Sequence, residues 1–371
     1  MDFQFTEEQR LLVETLNRCL TDEATFDQRK QTLRSADGWS HALWSTLCGL
    51  GVPATLIDEV SGGLGGSAIE LALVCQAAGQ ALLLEPVSSV LVAHAAFSRY
   101  APPALRADIG DTLIAGEKLL VPVIDDRHGS LLATPAADGL QISGQAAVVY
   151  HAPLADYWLV AVSTRTGAPA DTLVIVPRTA AGVSLKTYQT VDGQRAADLH
   201  FDGVAVPSSA IWVTGDRAAV EWVIDCGILA LAADTLGSVE RTLNLTIDYL
   251  KNRQQFGGPI GRFQALQHRV VVALSKVEEL RTWLWVTAAR FHGALADRRL
   301  DVRALHVLAC ETARHVGEEA VQLHGGMGVT EEMEVSHHFR RLVAAGIRYG
   351  SRDEHLAAYA QHRFARSGTP V

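Results

Sequence analysis

The sequence lacks an excess of basic residues and any close pairing of cysteines, and each absence excludes a class of protein. Lys and Arg together number 32 against 41 Asp and Glu, which gives a net charge of −9. Nucleic-acid binding depends on clustered Lys and Arg, so this balance argues against a nucleic-acid partner. The five cysteines are odd in number and include no Cys-x-x-Cys pair. A disulfide framework or a zinc site is therefore not expected, and no other metal site is predicted.

Long unbroken apolar runs are also missing, although the mean hydropathy is slightly positive at +0.13. Four polar residues interrupt the apolar stretch 68–97, namely Glu70, Gln76, Gln80 and Glu85. A spanning helix needs roughly 20 apolar residues, so no membrane span is expected. The acidic, amphipathic first ten residues resemble neither a signal peptide nor a transit peptide. These features predict a soluble protein with unusually apolar helices, located in the cytoplasm.

The sequence pattern changes twice along the chain, from helical to strand-like and back to helical. The length of the chain allows two or three domains. Helical periodicity runs up to about residue 106, beginning with a capping box formed by Thr6 and Gln9. Short β-branched runs follow from about residue 119 to 213, and long helical segments fill the rest. We predict a helical domain over 1–115, a β domain over 116–213 and a helical bundle over 214–371.

The individual elements can be placed from the same patterns. Helices are predicted over 68–79, 218–251, 264–295 and 303–324, and a further one led by Trp39 and ending at Gly49-Leu50-Gly51. Strands are predicted over 119–124, 139–149, 157–163, 171–176 and 199–206, forming an antiparallel domain. The glycine-rich turn 61–67 precedes a helix and could cradle phosphate. No βαβ pattern surrounds it, which favours a plain loop.

Two short stretches carry most of the chemical information. In residues 252–267, a loop between two long helices holds Arg253, suited to bidentate contact with phosphate, and Phe256, suited to covering a planar ring. A polar interhelical turn is the plain alternative. In residues 322–330, Gly325 and Gly326 follow a long helix. They fit either a helix C-cap or a place where a ligand approaches the backbone.

Both stretches, in this order and behind a helix–strand–helix layout, resemble the acyl-CoA dehydrogenase family of flavoproteins. The resemblance covers essentially the whole chain and includes Phe5-Thr6-Glu7-Glu8-Gln9, Gly51-Val52…Glu59-x-x-Gly62-Gly63-x-Gly65 and Phe201-Asp202-x-Val204-x-Val206-Pro207. It implies an α+β fold with an N-terminal helical domain, a middle antiparallel β domain and a C-terminal four-helix bundle. It also implies FAD as cofactor, an acyl-CoA as substrate and an electron-transfer flavoprotein or similar acceptor as partner.

In the family, these two motifs reach across a subunit interface to the adenine and pyrophosphate of an FAD bound mainly by the neighbouring chain. Carried over position by position, the resemblance assigns cofactor contacts to Arg253, Gln255, Phe256, Ile260, Phe263, Gln264, Gln322, Gly325 and Gly326. Ser351 and Asp353 match a flavin-contacting Thr and Gln, although Asp353 would add negative charge beside an anionic cofactor.

The catalytic base that the resemblance implies is missing from both of its usual places. A glutamate should remove the α proton of the thioester. The C-terminal position holds Tyr349 instead, and the alternative position after the β domain holds Gly227, followed by Ile228. Tyr349 as a base would need a pKa far below about 10, so a packed aromatic is the plainer interpretation. Asp225 is a fallback base if the alignment is shifted by one turn, and Glu221 is another.

Two further flavin-contacting elements also depart from the family pattern. Residues 121–126 read Val-Pro-Val-Ile-Asp-Asp where the family has Thr-Glu-Pro…Gly-Ser-Asp, and residues 148–150 read Val-Val-Tyr where it has aromatic-Ile-Thr. The motifs that act across the interface are retained. The chain therefore resembles the non-catalytic subunit of a heteromeric α2β2 acyl-CoA dehydrogenase of bacterial steroid or side-chain degradation, with a second subunit supplying the glutamate.

Two alternatives stay open. The chain could be a self-sufficient homo-oligomeric dehydrogenase that uses Asp225, Glu221 or another displaced carboxylate. It could also be a structural paralogue without activity, which would have no need to keep the loop with Arg253 and Phe256.

Overall fold

The computed structural model describes residues 5–124 and 131–367, with side chains described up to residue 363. The α-helices are α1 (Glu7–Glu23), α2 (Phe26–Arg34), α3 (His41–Gly49), α4 (Ala68–Gln80), α5 (Val87–Tyr100), α6 (Pro103–Ile114), α7 (Arg217–Asn252), α8 (Gln264–Arg290), α9 (Leu295–His324), α10 (Glu334–Ala345) and α11 (Arg352–Ser367). The strands are β1 (Leu120–Val123), β2 (Leu131–Ala136), β3 (Gly139–Tyr150), β4 (Tyr157–Val162), β5 (Thr172–Pro177), β6 (Val183–Gln189), β7 (Arg195–Val206), β8 (Ile211–Val213), β9 (Gln254–Gln255) and β10 (Gly258–Pro259). The predicted order of helices, strands and helices is confirmed.

The chain divides into two compact units. The first consists of Met1–Arg29, Ala72–Leu83 and Ile228–Val371, and the second of Lys30–Leu71 and Leu84–Gly227. These units group segments by contact, whereas the ranges 1–115, 116–213 and 214–371 group them by type of element. The three-domain division therefore stays a prediction.

The second unit contains two four-stranded sheets, ordered β1-β4-β5-β8 and β2-β3-β7-β6. Their apolar faces share one core, in which Trp158 of β4 and Phe201 of β7 are completely buried. Alternate residues of β3 and β7 enter this core, as expected for strands with one buried face. Most pairs are antiparallel as predicted, but β1 pairs with β4 in parallel, with Leu120 opposite Tyr157.

Three strands of the two four-stranded sheets, β2, β6 and β8, were not predicted from the sequence. All three lie at the edge of a sheet in the described structure. Edge strands bury little surface, so their sequences need no apolar run: β6 is largely exposed, and β2 contains Pro135. Their place is decided by pairing with β3, β7 and β5 rather than by their own pattern.

Local signals set some helix ends. Thr6 and Gln9 form the predicted reciprocal capping box, with hydrogen bonds of 3.0 and 3.2 Å. The predicted helix over 264–295 instead ends at Arg290, and the next helix begins at Leu295, earlier than predicted. A short turn containing Gly293 separates the two, and a Cβ at this position would lie 3.0 Å from the Arg290 carbonyl oxygen.

The glycine-rich turn before α4 is a plain loop, and its geometry explains why. The amides of Leu64, Gly65 and Gly66 donate to carbonyls of residues 54, 57 and 55, respectively, at 2.8–3.0 Å. A Cβ on Gly63 would lie 2.2 Å from the Ile57 carbonyl oxygen. These amides are engaged within the loop, so the phosphate-cradle alternative is not supported.

In the first unit, α4 and α7 approach so closely that only glycine fits at the crossing. A Cβ on Gly79 would lie 1.9 Å from the Asp234 carbonyl oxygen, and a Cβ on Gly237 would lie 1.9 Å from that of Gln76. Next to this crossing, the Arg341 guanidinium pairs with the Asp234 carboxylate through two hydrogen bonds of 2.9 and 2.6 Å. Both side chains are 5% exposed, so the pair fastens α10 to α7 inside the core.

Within the described residues, α7 is the one helix long and apolar enough to cross a membrane by length and composition. Its most apolar window is wholly buried inside the protein. We therefore describe α7 as a core helix. The five cysteines are free thiols.

Candidate functional site

The first predicted motif is an exposed hairpin at the end of α7. Strands β9 and β10 pair with Gln255 opposite Gly258, so Phe256 and Gly257 form a two-residue turn. Both have positive φ, +52° and +80°, as the mirror-image turns of tight hairpins require. Glycine adopts this conformation freely, but a phenylalanine there costs about 1 kcal/mol or more. The strained residue, Phe256, is the one predicted to cover a planar ring of a ligand, and it is 81% exposed.

Arg262 holds this turn in place, a role that sequence reasoning missed. Its guanidinium donates to the carbonyl oxygens of Phe256 and Gly257, and it lies 5.2 Å from the centre of the Phe263 ring. The Phe256 and Phe263 rings meet edge to face at 6.0 Å. The available signal was a second arginine next to the glycines of the motif.

Arg253 stands at the base of the hairpin with its side chain in solvent. Its backbone is fixed, since its amide donates to Tyr249 at 2.8 Å and its carbonyl accepts from Ile260 at 2.9 Å. Across the part of the chain that the structure describes, no hydrogen bond or ion pair engages its guanidinium. Gln255 and Gln264 are likewise exposed, and Ile260 is half-buried. The loop thus presents a cation, an aromatic ring and two amides on a fixed backbone.

The second motif ends α9, and its first glycine takes the predicted role of a helix C-cap. Gly325, at φ +61° and ψ −143°, is the C-cap residue, and its amide donates to the carbonyl of Gln322. A Cβ built on Gly325 or Gly326 meets nothing within 4 Å, and both glycines are exposed, as is Gln322. Gly328 differs, because a Cβ there would lie 2.8 Å from the Val321 carbonyl oxygen. The first two glycines leave their backbone open to a ligand, whereas the last is required by packing.

An aromatic stack joins the two motifs at one end of the first unit. The Tyr249 ring stacks on the His324 ring, with 4.4 Å between ring centres and 28° between ring planes. The Tyr249 hydroxyl donates to the His324 carbonyl at 3.4 Å. The Tyr249 carbonyl also accepts a hydrogen bond from the Arg253 amide, and His324 directly precedes Gly325. The hairpin and the glycine turn, about 70 residues apart in sequence, are therefore neighbours.

The C-terminal turn holds Tyr349 in a constrained conformation. Tyr349 and Gly350 have φ of +56° and +107°. The Tyr349 carbonyl accepts a hydrogen bond from His355 Nε2 at 2.8 Å, and the Gly350 carbonyl accepts one from His306 Nε2 at 3.1 Å. The two histidine rings are 4.2 Å apart. Tyr349 itself is half-buried, which agrees with a packed aromatic.

Ser351 and Asp353 open α11, and the structure gives both a local role. The Ser351 amide donates to the Glu354 carboxylate at 2.6 Å, and the Glu354 amide donates to the Ser351 hydroxyl at 3.2 Å, which makes a capping box. Asp353 is 84% exposed and pairs with Arg352 at 2.7 Å. Their predicted contact with a flavin stays a prediction.

We expect His306, which is paired with His355 at this turn, to make the stability of the fold depend on pH. Burial, and secondly the neighbouring His355, lower the pKa of His306 to about 4. In the unfolded chain its pKa is about 6.5, so the unfolded state binds more protons between these values. The free energy of unfolding should therefore fall by up to about 3 kcal/mol from this residue as pH decreases from 7 to 4. Urea unfolding at a series of pH values measures this loss.

The comparison variant is His306→Gln, which keeps a donor for the Gly350 carbonyl but does not titrate. Its unfolding free energy should change less steeply between pH 7 and 4 than that of the wild type. Burial also lowers the pKa of His94 and of His337 to about 4, so a residual slope of the same sign is expected. An unchanged slope would contradict the assignment to His306.

The candidate bases lie in the second unit, at the start of α7. Asp225 is buried, with 1% exposure, and Gly227 is buried as well. Glu221 is half-buried and pairs with Arg217 one turn earlier, at 3.3 Å. Glu221 is thus engaged in a local ion pair, and whether Asp225 acts as a base stays a hypothesis.

The region that replaces the flavin-backing strand contains a bulge in β3. The register shifts between Ala146 and Val149, and Val148 has a φ of +53° and is 49% exposed. The Val148 amide donates to the Asp198 carboxylate at 3.0 Å, and Tyr188 donates to the same oxygen at 2.6 Å. Asp125 and Asp126 of the other departing segment lie outside the described residues.

The residues of the first unit fit the diphosphate and adenine of FAD. The exposed Arg253 guanidinium suits a phosphate, Phe256 offers a ring face, and the backbone at Gly325 and Gly326 is open on the side where a Cβ would stand. Among the described residues, no group of three His, Cys, Asp or Glu side chains is arranged to hold a metal ion.

Comparison with known proteins gives the same family. A model of the acyl-CoA dehydrogenase N-terminal domain matches residues 6–117, and one of the acyl-CoA dehydrogenase C-terminal domain matches residues 218–363. The acyl-CoA dehydrogenase FadE27 of Mycobacterium tuberculosis is 28% identical over 349 residues, covering 91% of this chain and 92% of that protein.

Solved structures agree over the whole length. A chain of the ChsE4-ChsE5 complex from Mycobacterium tuberculosis has a TM-score of 0.92 at 25% identity, covering 100% of both chains. A chain from a variant of the Tcur3481-Tcur3483 steroid ACAD has a TM-score of 0.90 at 26% identity, covering 98% of this chain and 99% of that one. This chain belongs to the acyl-CoA dehydrogenase family, whose members are FAD-dependent oxidoreductases acting on CH–CH bonds.

Proposed function

We propose that this chain is the non-catalytic subunit of a heteromeric acyl-CoA dehydrogenase. It supplies the adenine and pyrophosphate half of an FAD site, and a partner of the same family supplies the catalytic glutamate and the pocket for the flavin ring. The observation that carries the proposal is the contrast between two regions. The hairpin of Arg253 and Phe256 is complete and presented to solvent, whereas the positions of the base hold Tyr349 and Gly227.

In this assembly, each residue of the half-site has a physical task. Arg253 neutralises the pyrophosphate, Phe256 covers the adenine, and Gly325 and Gly326 allow the cofactor to approach the backbone. The bound FAD supplies the hydride acceptor for α,β-desaturation of an acyl-CoA. Arg262 keeps the hairpin in the binding conformation before the cofactor arrives, which lowers the entropy lost on binding.

Exposed apolar side chains of the first unit support an assembly with a partner. Val271, Val272 and Leu274 of α8 are 57%, 50% and 44% exposed, and Val343 and Ile347 near the end of α10 are 51% and 68% exposed. Large apolar side chains grouped on exposed helices mark surfaces that another chain covers. These exposed apolar side chains contribute to the positive mean hydropathy of the chain.

The relatives suggest the substrate class and the partner. The solved structures similar to this chain include the ChsE4-ChsE5 complex and a steroid ACAD, so we propose a steroid or side-chain acyl-CoA as substrate. An electron-transfer flavoprotein or similar acceptor would reoxidise the enzyme, and the free cysteines fit the predicted cytoplasmic location.

The decisive experiment compares the chain alone with the chain co-purified with a family member that keeps the glutamate. We expect the lone chain to bind little flavin and to show no turnover with an artificial electron acceptor. The complex should contain half as many flavins as chains and oxidise the acyl-CoA. A lone chain that is strongly yellow and fully active would overturn the proposal.

Variants of the complex separate the alternatives. Asp225→Asn and Glu221→Gln in this chain should leave turnover unchanged, while replacing the partner's glutamate should abolish it. If Asp225→Asn abolished turnover with flavin still bound, the self-sufficient dehydrogenase would be favoured. If Arg253→Ala left the flavin content unchanged, the structural paralogue would be favoured.

A further inference from the structure

Tyr249, in the last turn of α7, contacts both motifs of the candidate FAD half-site. Its carbonyl oxygen accepts a hydrogen bond from the Arg253 amide at 2.8 Å, at the base of the hairpin. Its ring stacks on the His324 ring with 4.4 Å between ring centres, at the residue that precedes Gly325. One residue thus contacts the hairpin with its backbone and the glycine turn with its side chain.

His324 is held firmly enough to transmit this contact. It is 3% exposed, and its Nδ1 donates to the Ala320 carbonyl at 2.8 Å, one turn earlier in α9. The chain after the glycine turn folds back over it, since a Cβ on Gly328 would lie 3.1 Å from the His324 Cβ. Burial lowers the pKa of His324, so its ring is neutral at pH 7. The stack therefore joins two neutral rings.

The peptide between His324 and Gly325 is fixed at both of its polar groups. Its carbonyl accepts the Tyr249 hydroxyl at 3.4 Å, and its amide donates to the Gln322 carbonyl. This peptide cannot rotate without losing one of these bonds. The orientation of the exposed backbone at Gly325 therefore depends in part on Tyr249.

The hairpin is fixed from the same end of α7. The Arg253 carbonyl accepts the Ile260 amide at 2.9 Å, so the Arg253 backbone is hydrogen-bonded on one side to Tyr249 and on the other to the returning segment. That segment packs on α7 directly after Tyr249, since a Cβ on Gly261 would lie 3.0 Å from the Leu250 carbonyl oxygen. The direction in which Arg253 leaves the helix is thus set at Tyr249.

We propose that Tyr249 and His324 are positioning residues that make the hairpin and the glycine turn act as one element in FAD binding. They fix the distance and angle between Arg253 and the backbone of Gly325, which contact the cofactor together in the proposed half-site. Groups held in the binding geometry beforehand lose less entropy when the ligand arrives. The inference rests on the proposed function and adds that the two motifs contribute to FAD affinity in a coupled way.

Removing either ring of the stack should weaken FAD binding by the assembled enzyme about fivefold or more, because the two motifs are then no longer held together. Tyr249→Leu removes the phenol ring, and His324→Asn removes the imidazole but keeps a donor for the Ala320 carbonyl. Tyr249→Phe keeps the ring and loses one hydroxyl bond of 3.4 Å, so it should retain most of the affinity. Fluorescence titration of the cofactor-free complex with FAD gives the dissociation constants.

A double-variant cycle distinguishes positioning from a general loss of stability. If the stack positions Arg253, it has less to position once the guanidinium is gone. The combined loss in Tyr249→Leu with Arg253→Ala should therefore be at least about twofold smaller than the product of the two single losses. A change that merely loosens the fold would instead multiply with Arg253→Ala. His324→Asn supplies the same cycle if Tyr249→Leu does not fold.

The matched control removes a different aromatic contact of the first unit. Phe5 meets Trp285 of α8 edge to face at 4.9 Å, and Trp285 lies about 30 Å along α8 from Gln264. Phe5→Leu should change the FAD affinity less than about twofold. A loss equal to that of Tyr249→Leu would contradict a specific role for the Tyr249–His324 stack.

The outcomes separate this inference from the proposed function. If Arg253→Ala leaves the FAD affinity unchanged, the half-site and the positioning role are both wrong. If Arg253→Ala weakens binding but a folded Tyr249→Leu or His324→Asn variant does not, the positioning role alone is wrong. A double variant that shows the full product of the single losses overturns it in the same way.

Discussion

Replacing Arg253 with alanine should weaken FAD binding by the assembled enzyme about 10- to 100-fold, equivalent to about 1.5–3 kcal/mol. The guanidinium is exposed at the base of the hairpin and engages no described protein group, so its function lies in what it binds. Removing it takes one positive charge and two donors from the pyrophosphate. Flavin content after gel filtration, and the dissociation constant from fluorescence titration, measure the loss.

The melting temperature distinguishes binding from folding in this experiment. Arg253→Ala should melt, in the cofactor-free state, within a degree or two of the wild type, because no described contact of the side chain is lost. Lys251→Ala removes an exposed cation from the last turn of α7 and should retain full flavin content. Equal flavin loss in both variants would indicate a general charge effect rather than a site at Arg253.

Replacing Arg341 with methionine should lower the free energy of unfolding by about 3–5 kcal/mol, since it leaves the Asp234 carboxylate buried without its cation. The two side chains are each 5% exposed and share two hydrogen bonds. The same variant removes the donor at 3.3 Å from the Leu83 carbonyl. Urea unfolding with the slope compared between variants gives the change.

Two comparisons make this prediction specific. Arg340→Ala, at the next position, breaks a pair with the largely exposed Glu331 and should cost no more than about 1 kcal/mol. The double variant Asp234→Leu with Arg341→Met removes both charges and should recover part of the loss, because no unpaired charge remains. A double variant less stable than Arg341→Met alone would contradict this explanation, because the loss of stability could then not come from an unpaired buried charge.

The candidate half-site could be proposed from the sequence because the signals of its two motifs are local. The two-residue turn of the hairpin needs a residue tolerant of positive φ, and Gly257 supplies one; the C-cap of α9 needs the same at Gly325. The residues that position the site were harder to find. Arg262 and the Tyr249–His324 stack act through contacts in the folded chain, and no short sequence motif identifies the residues that make these contacts.

The fold shows the same division between local and long-range information. The capping box of α1, helical stripes and the buried strands β3 and β7 were predicted, because each depends on nearby residues whose spacing matches the element. The edge strands β2, β6 and β8 were missed, because they acquire their conformation from a neighbour's free backbone groups.

The sequence by itself determined the family, and by resemblance it predicts a missing glutamate at both base positions and retained cofactor motifs. Only the tertiary structure decided which backbone amides are engaged, as in the glycine-rich turn, and which charges are buried together. Arg341 meets Asp234 across 107 residues, and Arg241 meets Glu334 across 93. Such contacts depend on how whole elements pack, and no local pattern of residues encodes that packing.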